Sequence, residues 1–305
     1  MKYAVQLVLT VITLQVSAQL KQKTHSTEFT EDKFYTVQNI KHGQFIRFGK
    51  NYLYRHIMIF GNYKQDKRYD DWYYFYRDLY NSIMSRGSFV KDKKTGSWFE
   101  YYPVQQVDSL TRPSRSMKVT SRTGLYLDPI TKSTQTLAYD TLGQKLMSAG
   151  IFFEDEKIGR WNYYGTNGRL LHQYDHSLKK LITNNAIDSV PSGVAFLGGG
   201  TRLISLVHGH FTLDESRTYG QKSIVVYKVS TDGDSVKCEK IKSVGSSAFA
   251  EYCDKVVLPL NENWIIVRPE IKNELYIMID YLFEFRKGRT LSVRFVKKEQ
   301  VDGEM

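Results

Sequence analysis

The sequence predicts an α+β protein in two unlike parts: an N-terminal all-β repeat array of stacked hairpins, then a small α+β domain running helix, hairpin, helix and long strand. Three observations carry this. One template of glycine, aromatic, aspartate and tryptophan recurs between Gly61 and Tyr164. Beyond a break around Pro191 the apolar spacing changes, and segments of helical period alternate with β-branched runs. The 305 residues also include 22 Tyr, 16 Phe and 4 Trp, against 6 Pro and 2 Cys. Such a composition is globular and excludes collagenous, proline-rich and disulfide-dense chains.

Taken in order, residues 1–18 have the form of a secretory signal. Met1-Lys2-Tyr3 is a short positive start, Ala4 to Val16 is mostly apolar, and Val16-Ser17-Ala18 places small residues before a cleavage point at Gln19. The alternative is an uncleaved helix anchoring the chain in the inner membrane, although the apolar stretch is shorter than the ~20 residues that span a bilayer. No cysteine stands near the cleavage point for a lipid anchor, and no later stretch is long and apolar enough to span. Export permits a disulfide, and Cys238 with Cys253 would be its only partners.

Residues 19–60 are expected to lead into the repeats, which occupy 61–180. Gly61, Tyr63, Asp66 and Trp72 recur as Gly87, Phe89, Asp92 and Trp98, and again as Gly150, Phe152, Asp155 and Trp161. A degenerate copy starts at Gly124, keeping Tyr126 but having Pro129 and Gln135 in place of the Asp and Trp. Within one unit, Phe89-Val90 and Trp98 to Tyr101 are β-prone runs on either side of Asp92 to Gly96, a polar turn whose glycine can take positive φ. Isolated hairpins are marginal in water, so neighbours are expected to stack and bury the Trp and Phe faces. In the first copy Asp70 stands where the others have Gly96 and Gly159, so its turn is expected to differ.

Residues 181–195 read as a linker. In 196–290, Thr201 to Val207 suits a short helix, Ser223 to Val229 a strand, Thr231 to Asp234 a turn with the Asp-Gly hairpin signal, and Ser235 to Val244 the returning strand. Ser246-Ser247 can cap a helix over Ala248 to Leu258, and Glu274 to Arg286 is the longest strand. Residues 291–305 read as a polar tail.

Two resemblances follow from these residues. The Gly, aromatic, Asp-x-Lys, Gly-x-Trp and Tyr-Tyr pattern, with Asn167-Gly168-Arg169-Leu170 after the third copy, looks like the MORN-type repeats of bacterial exported proteins. It implies a scaffold for contacts with proteins, lipids or wall components, or a structural spacer. The second part resembles the C-terminal domain of the TonB family, through Phe196, Gly198 and Gly199, the hairpin Val225 to Val244 with Asp232-Gly233, Ser243-Val244-Gly245, Trp264 and the ending Phe283-Glu284-Phe285. That resemblance implies a periplasmic binding module linked to transmembrane transport. Its last strand would offer an edge, Leu275, Tyr276, Ile277, Met278, Ile279, Asp280, Tyr281, Leu282, Phe283, Glu284 and Phe285, to an extended segment of an outer-membrane receptor or other envelope protein. The chain departs from a TonB proper in lacking a Pro-rich spacer and in having a cleavable signal where a TonB keeps its N-terminal membrane helix, which argues against energy transduction from an inner-membrane motor. The alternative is an envelope adaptor whose repeats make the contacts.

No catalytic constellation is visible in the sequence, and the protein is read as non-enzymatic. His208 and His210 are the nearest pair to a metal spacing but end a predicted helix, where alternate residues diverge. Gly198-Gly199-Gly200 before a helix suggests an anion site or a flexible helix start. The Lys-Ser/Thr of a phosphate loop and the strand of a dinucleotide fingerprint are both missing, so no cofactor is expected. Cys238 and Cys253 are either a packed pair or a disulfide. The net charge of +11 suits an anionic envelope surface or merely a solvated one. Nucleic acid is not an expected partner of an exported chain.

Overall fold

A computed structural model describes residues 20–28, 30–50, 55–76, 82–103, 121–127, 134–140, 144–186, 193–210, 222–232, 235–268, 270–271, 274–284, 288–296 and 298–303. The predicted signal, Pro129, Pro191 and Phe285 lie outside these residues. Among the described residues no helix is long and apolar enough to cross a membrane.

The strands are β1 (Lys21–Ser26), β2 (Thr30–Val37), β3 (Ile40–Lys50), β4 (Arg55–Lys64), β5 (Lys67–Phe75), β6 (Ile83–Val90), β7 (Lys93–Tyr101), β8 (Ser121–Leu127), β9 (Thr134–Asp140), β10 (Leu146–Phe153), β11 (Glu156–Tyr164), β12 (Leu170–Asp175) and β13 (Lys180–Asn184). Eleven of them form one sheet in the order β1 to β7, then β10 to β13. The chain clusters into two compact units, residues 1–145 with 149–158, and residues 146–148 with 159–305.

Each repeat is a hairpin, but its turn lies earlier than the sequence suggests. Lys91 and Asp92 both have positive φ (51° and 70°), and so do Gln65-Asp66 (54° and 61°) and Glu154-Asp155 (51° and 74°). A two-residue connection with both centres left-handed matches the twist of the flanking strands. The residue four after the turn Asp, Gly96 at 65° or Gly159 at 57°, is therefore inside the returning strand. Asp70 holds the same conformation at 60°, so the first copy does not differ there. An aspartate is among the few L-residues that visit this region.

The template also begins one hairpin earlier. Gln38-Asn39 turn at φ 51° and 67°, Gly43 takes 81° four residues on, and Phe45 stands where later copies have Trp72, Trp98 and Trp161. The segment 19–60, expected only to lead in, thus supplies a full unit, β2–β3, and an edge strand, β1, whose six residues are all exposed. The degenerate copy behaves differently. Among the described residues β8 and β9 pair only with each other, from Ser121↔Asp140 to Leu127↔Thr134, and the large sheet passes from β7 to β10 without them. That copy lacks both the turn Asp and the Trp that join neighbouring units elsewhere.

Two of the template glycines, Gly61 and Gly87, are spaces for tryptophan. The β4–β5 register shifts between Phe60 and Asn62, and the β6–β7 register between Arg86 and Ser88, so the longer partner strand bulges opposite Gly61 and Gly87. There the indole folds onto the glycine: a Cβ on Gly61 would lie 2.2 Å from Trp72, and one on Gly87 2.2 Å from Trp98. Trp72 Nε1 donates to Tyr69 O at 3.1 Å and Trp98 Nε1 to Thr95 O at 3.2 Å, which satisfies both buried donors.

These rings form a continuous ladder within the first unit. Centroids are separated by 5.4 Å for Phe45–Tyr63, 5.2 Å for Tyr63–Trp72, 5.9 Å for Trp72–Phe89, 5.3 Å for Phe89–Trp98 and 5.6 Å for Trp98–Phe152. Every step is edge-to-face, and such pairs contribute about 0.5–1.5 kcal/mol each beyond burial. A separate cluster of Tyr35, Ile46, Ile57, Phe75 and Ile83 has Phe48, Phe60, Tyr73 and Tyr101 packed against it.

The second unit continues with β14 (Val194–Phe196), α1 (Gly199–His210), β15 (Ser223–Asp232), β16 (Ser235–Val244), α2 (Ser247–Val257), a 3-10 turn Leu258–Asn263, β17 (Trp264–Ile266), β18 (Leu275–Glu284), β19 (Gly288–Val296) and α3 (Lys298–Gly303). The expected order of helix, hairpin, helix and long strand is present. Ser246 caps α2 by accepting from Phe249 N. Two expectations change. Residues 181–184 of the presumed linker complete β13, and most of the presumed polar tail is β19 and α3, with Val301 buried. In the tail, Val293 and Val296 are the buried positions of β19; three residues apart, they fall on opposite faces of the strand, so the buried positions of the segment do not alternate.

Candidate functional site: the edges of the C-terminal sheet

The sheet order is β16-β15-β18-β19, all antiparallel. β18 is therefore a central strand. Ile279 pairs with Val225 on one side and Val293 on the other, and the pairing spans Tyr276↔Val296 to Glu284↔Gly288. The edge expected at Leu275 to Phe285 is corrected by this topology: its backbone groups are occupied by neighbours. Leu275, Tyr276, Ile277, Met278 and Ile279 are all buried in succession because both faces of the sheet are covered. Phe249 of α2 stacks on Tyr281 at 5.3 Å, while Tyr276, Met278, Val226 and Val296 share a cluster with Val301 of α3.

The true edges differ from each other. On β16, Asn261 from the 3-10 turn acts as a substitute strand: Cys238 N donates to its Oδ1 at 3.0 Å, and its Nδ2 donates to Val236 O at 3.2 Å. β16 also carries Lys237, Lys240 and Lys242, charges that discourage edge pairing. Along β19, by contrast, no strand pairs with the outer side among the described residues. Arg294 on it reaches back to Asp280 Oδ2 at 2.7 Å, fixing β19 to β18. Gly200 allows α1 to approach this strand, since a Cβ there would lie 2.4 Å from the Phe295 ring. That contact, and the bond from Gly198 N to His172 Nδ1 at 3.0 Å, account for the glycine run as packing at a helix start.

The cysteines are both free thiols. Burial pushes Cys238 and Cys253 each up to about 12, so neither is a thiolate nucleophile near neutral pH. Burial and the hydrogen bond to Asp254 raise the Tyr227 hydroxyl, which donates to Asp254 Oδ1 at 2.7 Å, and Lys240 closes the group at 2.5 Å from Asp254 Oδ2. His208 and His210 lie in the last turn of α1. Among the described residues no cluster of three or more His, Cys, Asp or Glu could hold a metal.

A second row of polar groups runs along the hairpin turns, and it explains the template Asp. Asp66 Oδ1 accepts from Lys41 N at 2.7 Å, Asp92 Oδ1 from Arg68 N at 2.8 Å, and Asp155 Oδ1 from Lys94 N at 2.8 Å, so each turn grips the hairpin before it. The same three basic side chains lie on the ring ladder: Lys41 is 4.9 Å from the Tyr63 centroid, Arg68 4.0 Å from Phe89 and Lys94 4.7 Å from Trp98. Burial tends to raise the Asp92 carboxyl. The Arg68 amide and the Lys67 and Arg68 side chains outweigh it and hold the group below the usual carboxylate value. Asp155 is lowered first by the Lys94 amide and then, against burial, by Lys93.

A carboxylate with a lowered folded value binds its proton later than the unfolded chain does. Its stabilisation is complete above the ordinary carboxylate range of about 4 and is lost as pH falls through the folded value. The urea midpoint of the hairpin array is therefore expected to hold from pH 7 to 5 and to fall towards pH 3. Asp92→Asn with Asp155→Asn should flatten that fall.

In comparisons with protein-family models, with curated proteins and with solved structures, nothing matches the chain.

Proposed function

We propose that the protein is an exported, periplasmic binding protein of the cell envelope that takes up an extended segment of an outer-membrane receptor by strand addition along β19. The observation that carries this reading is the asymmetry of the four-stranded sheet, whose β16 edge is closed by Asn261 and lysines while β19, among the described residues, pairs on its inner side alone. Backbone hydrogen bonds from β19 would supply affinity, and the neighbouring side chains specificity. The hairpin array serves as its scaffold, in place of the spacer of a TonB-like transducer.

A second reading, an adaptor that makes contact through its repeats, is favoured by one feature. Val90, Ile151 and Phe153 are 49, 49 and 59% exposed. They flank Phe89 and Phe152 of the ring ladder, so strand alternation turns them to the opposite face. Photo-cross-linkers placed singly at Ser292, Phe153 and Lys237 in cells separate the two. Strand addition predicts capture of a receptor from Ser292 and none from Lys237, whereas capture from Phe153 alone would replace it with the adaptor reading.

A further inference from the structure

We propose that His172 is a proton-operated latch on the segment that starts α1, a property independent of what β19 binds. His172 lies on β12, is 1% exposed, and accepts from the Gly198 amide at 3.0 Å through Nδ1. A ring nitrogen that accepts carries no proton, so the imidazole is neutral with its hydrogen on Nε2. Protonation at Nδ1 would turn this acceptor into a donor facing another donor. The bond is then lost, and the Gly198 amide must find water.

Charged and titratable groups stand around this bond. Arg202 of α1, itself 1% exposed, lies against Gly198 closely enough that a Cβ there would meet its Cδ at 2.6 Å. Its Nη1 donates to Leu197 O at 3.1 Å and to Asn263 Oδ1 at 3.2 Å, which holds the cation in place beside the latch. On β11 the residue paired with His172 is Tyr163, whose ring lies 4.9 Å from the Arg202 guanidinium and whose hydroxyl is 2.7 Å from His176 Nε2. On β13 the paired residue is the uncharged Asn184. Asp175, the carboxylate of β12 itself, accepts from Leu178 N at 3.0 Å. A charged His172 and the Arg202 cation would thus both bear on Gly198, and opening of the 197–199 segment relieves the lost bond and separates the two charges. Gly200, two residues on, carries the contact that joins this segment to Phe295 of β19.

The test is hydrogen exchange of the Gly198 amide in the full chain between pH 7.5 and 5, corrected for intrinsic rates. Protection in the wild type is expected to fall roughly tenfold, as for loss of one buried hydrogen bond. His172→Asn offers an amide oxygen near the Nδ1 position and cannot titrate, so its protection should stay flat. Protection that is independent of pH in the wild type, or that falls equally in His172→Asn, overturns the proposal. Should the variant fail to fold, NMR on the wild type decides: coincident midpoints for the His172 ring and the Gly198 amide support the latch, and separate midpoints overturn it.

Discussion

Replacing Trp72 with alanine is expected to destabilise the hairpin array by roughly 3–5 kcal/mol, the range for emptying a large buried aromatic site. Trp72 is 2% exposed, touches Phe45, Tyr63 and Phe89, and covers Gly61. The reciprocal change, Gly61→Ala, should cost about 1–3 kcal/mol by overpacking, because the new methyl would lie 2.2, 2.4 and 2.7 Å from three indole atoms. The two effects cannot add. With the indole gone the methyl has room, so the double variant should be no less stable than Trp72→Ala. Urea midpoints of the four proteins form the cycle. Strict additivity would show that the glycine is not there to seat the indole.

Ile279→Pro is expected to unfold the C-terminal sheet and not merely to block an edge. Ile279 is fully buried and paired on both sides, with Val225 and Val293. Proline removes a donor from the middle of a four-stranded ladder and brings a ring into a filled core, a loss of about 3 kcal/mol or more on a unit whose whole stability is of the order of 5–15 kcal/mol. Loss of the near-ultraviolet signal of Trp264 and rapid proteolysis of the 222–303 region would record it, and a native spectrum would contradict the central position of β18. Binding lost in this variant would report unfolding, which is why Ser292 on β19 is the informative position.

Much of the hairpin array was legible because its signals are local. A turn, a glycine and an indole within about a dozen residues define each unit, so spacing alone located three of them. The unit at Asn39, Gly43 and Phe45 is not legible from spacing because Phe34, Thr36, Asn39 and Phe45 stand in the glycine, aromatic, aspartate and tryptophan positions, although the offsets of four and six residues from the turn are identical. The position of the turn is not legible because glycine is the residue expected at positive φ, whereas Lys91-Asp92 and Gln65-Asp66 adopt it without one. The edge was misjudged for a different reason. Five consecutive buried residues from Leu275 to Ile279 are the mark of a strand covered on both faces, and the lysines of β16 are the mark of an edge; both lie in plain view. What concealed the correct order was β19, whose polar composition resembles a tail.

From the sequence alone came the α+β class, the hairpin period, the Asp and Trp that join units, and the helix, hairpin, helix and strand order of the second part. These depend on interactions between residues close in the chain or repeated at a fixed interval. Only the tertiary structure decided which strand lies at the edge, that Asn261 closes β16, that β8–β9 is excluded from the large sheet, and that His172 meets Gly198 across 26 positions. Each of these is a pairing between distant segments, set by which faces remain to be buried once the local elements exist, and one strand's own residues do not encode its neighbour.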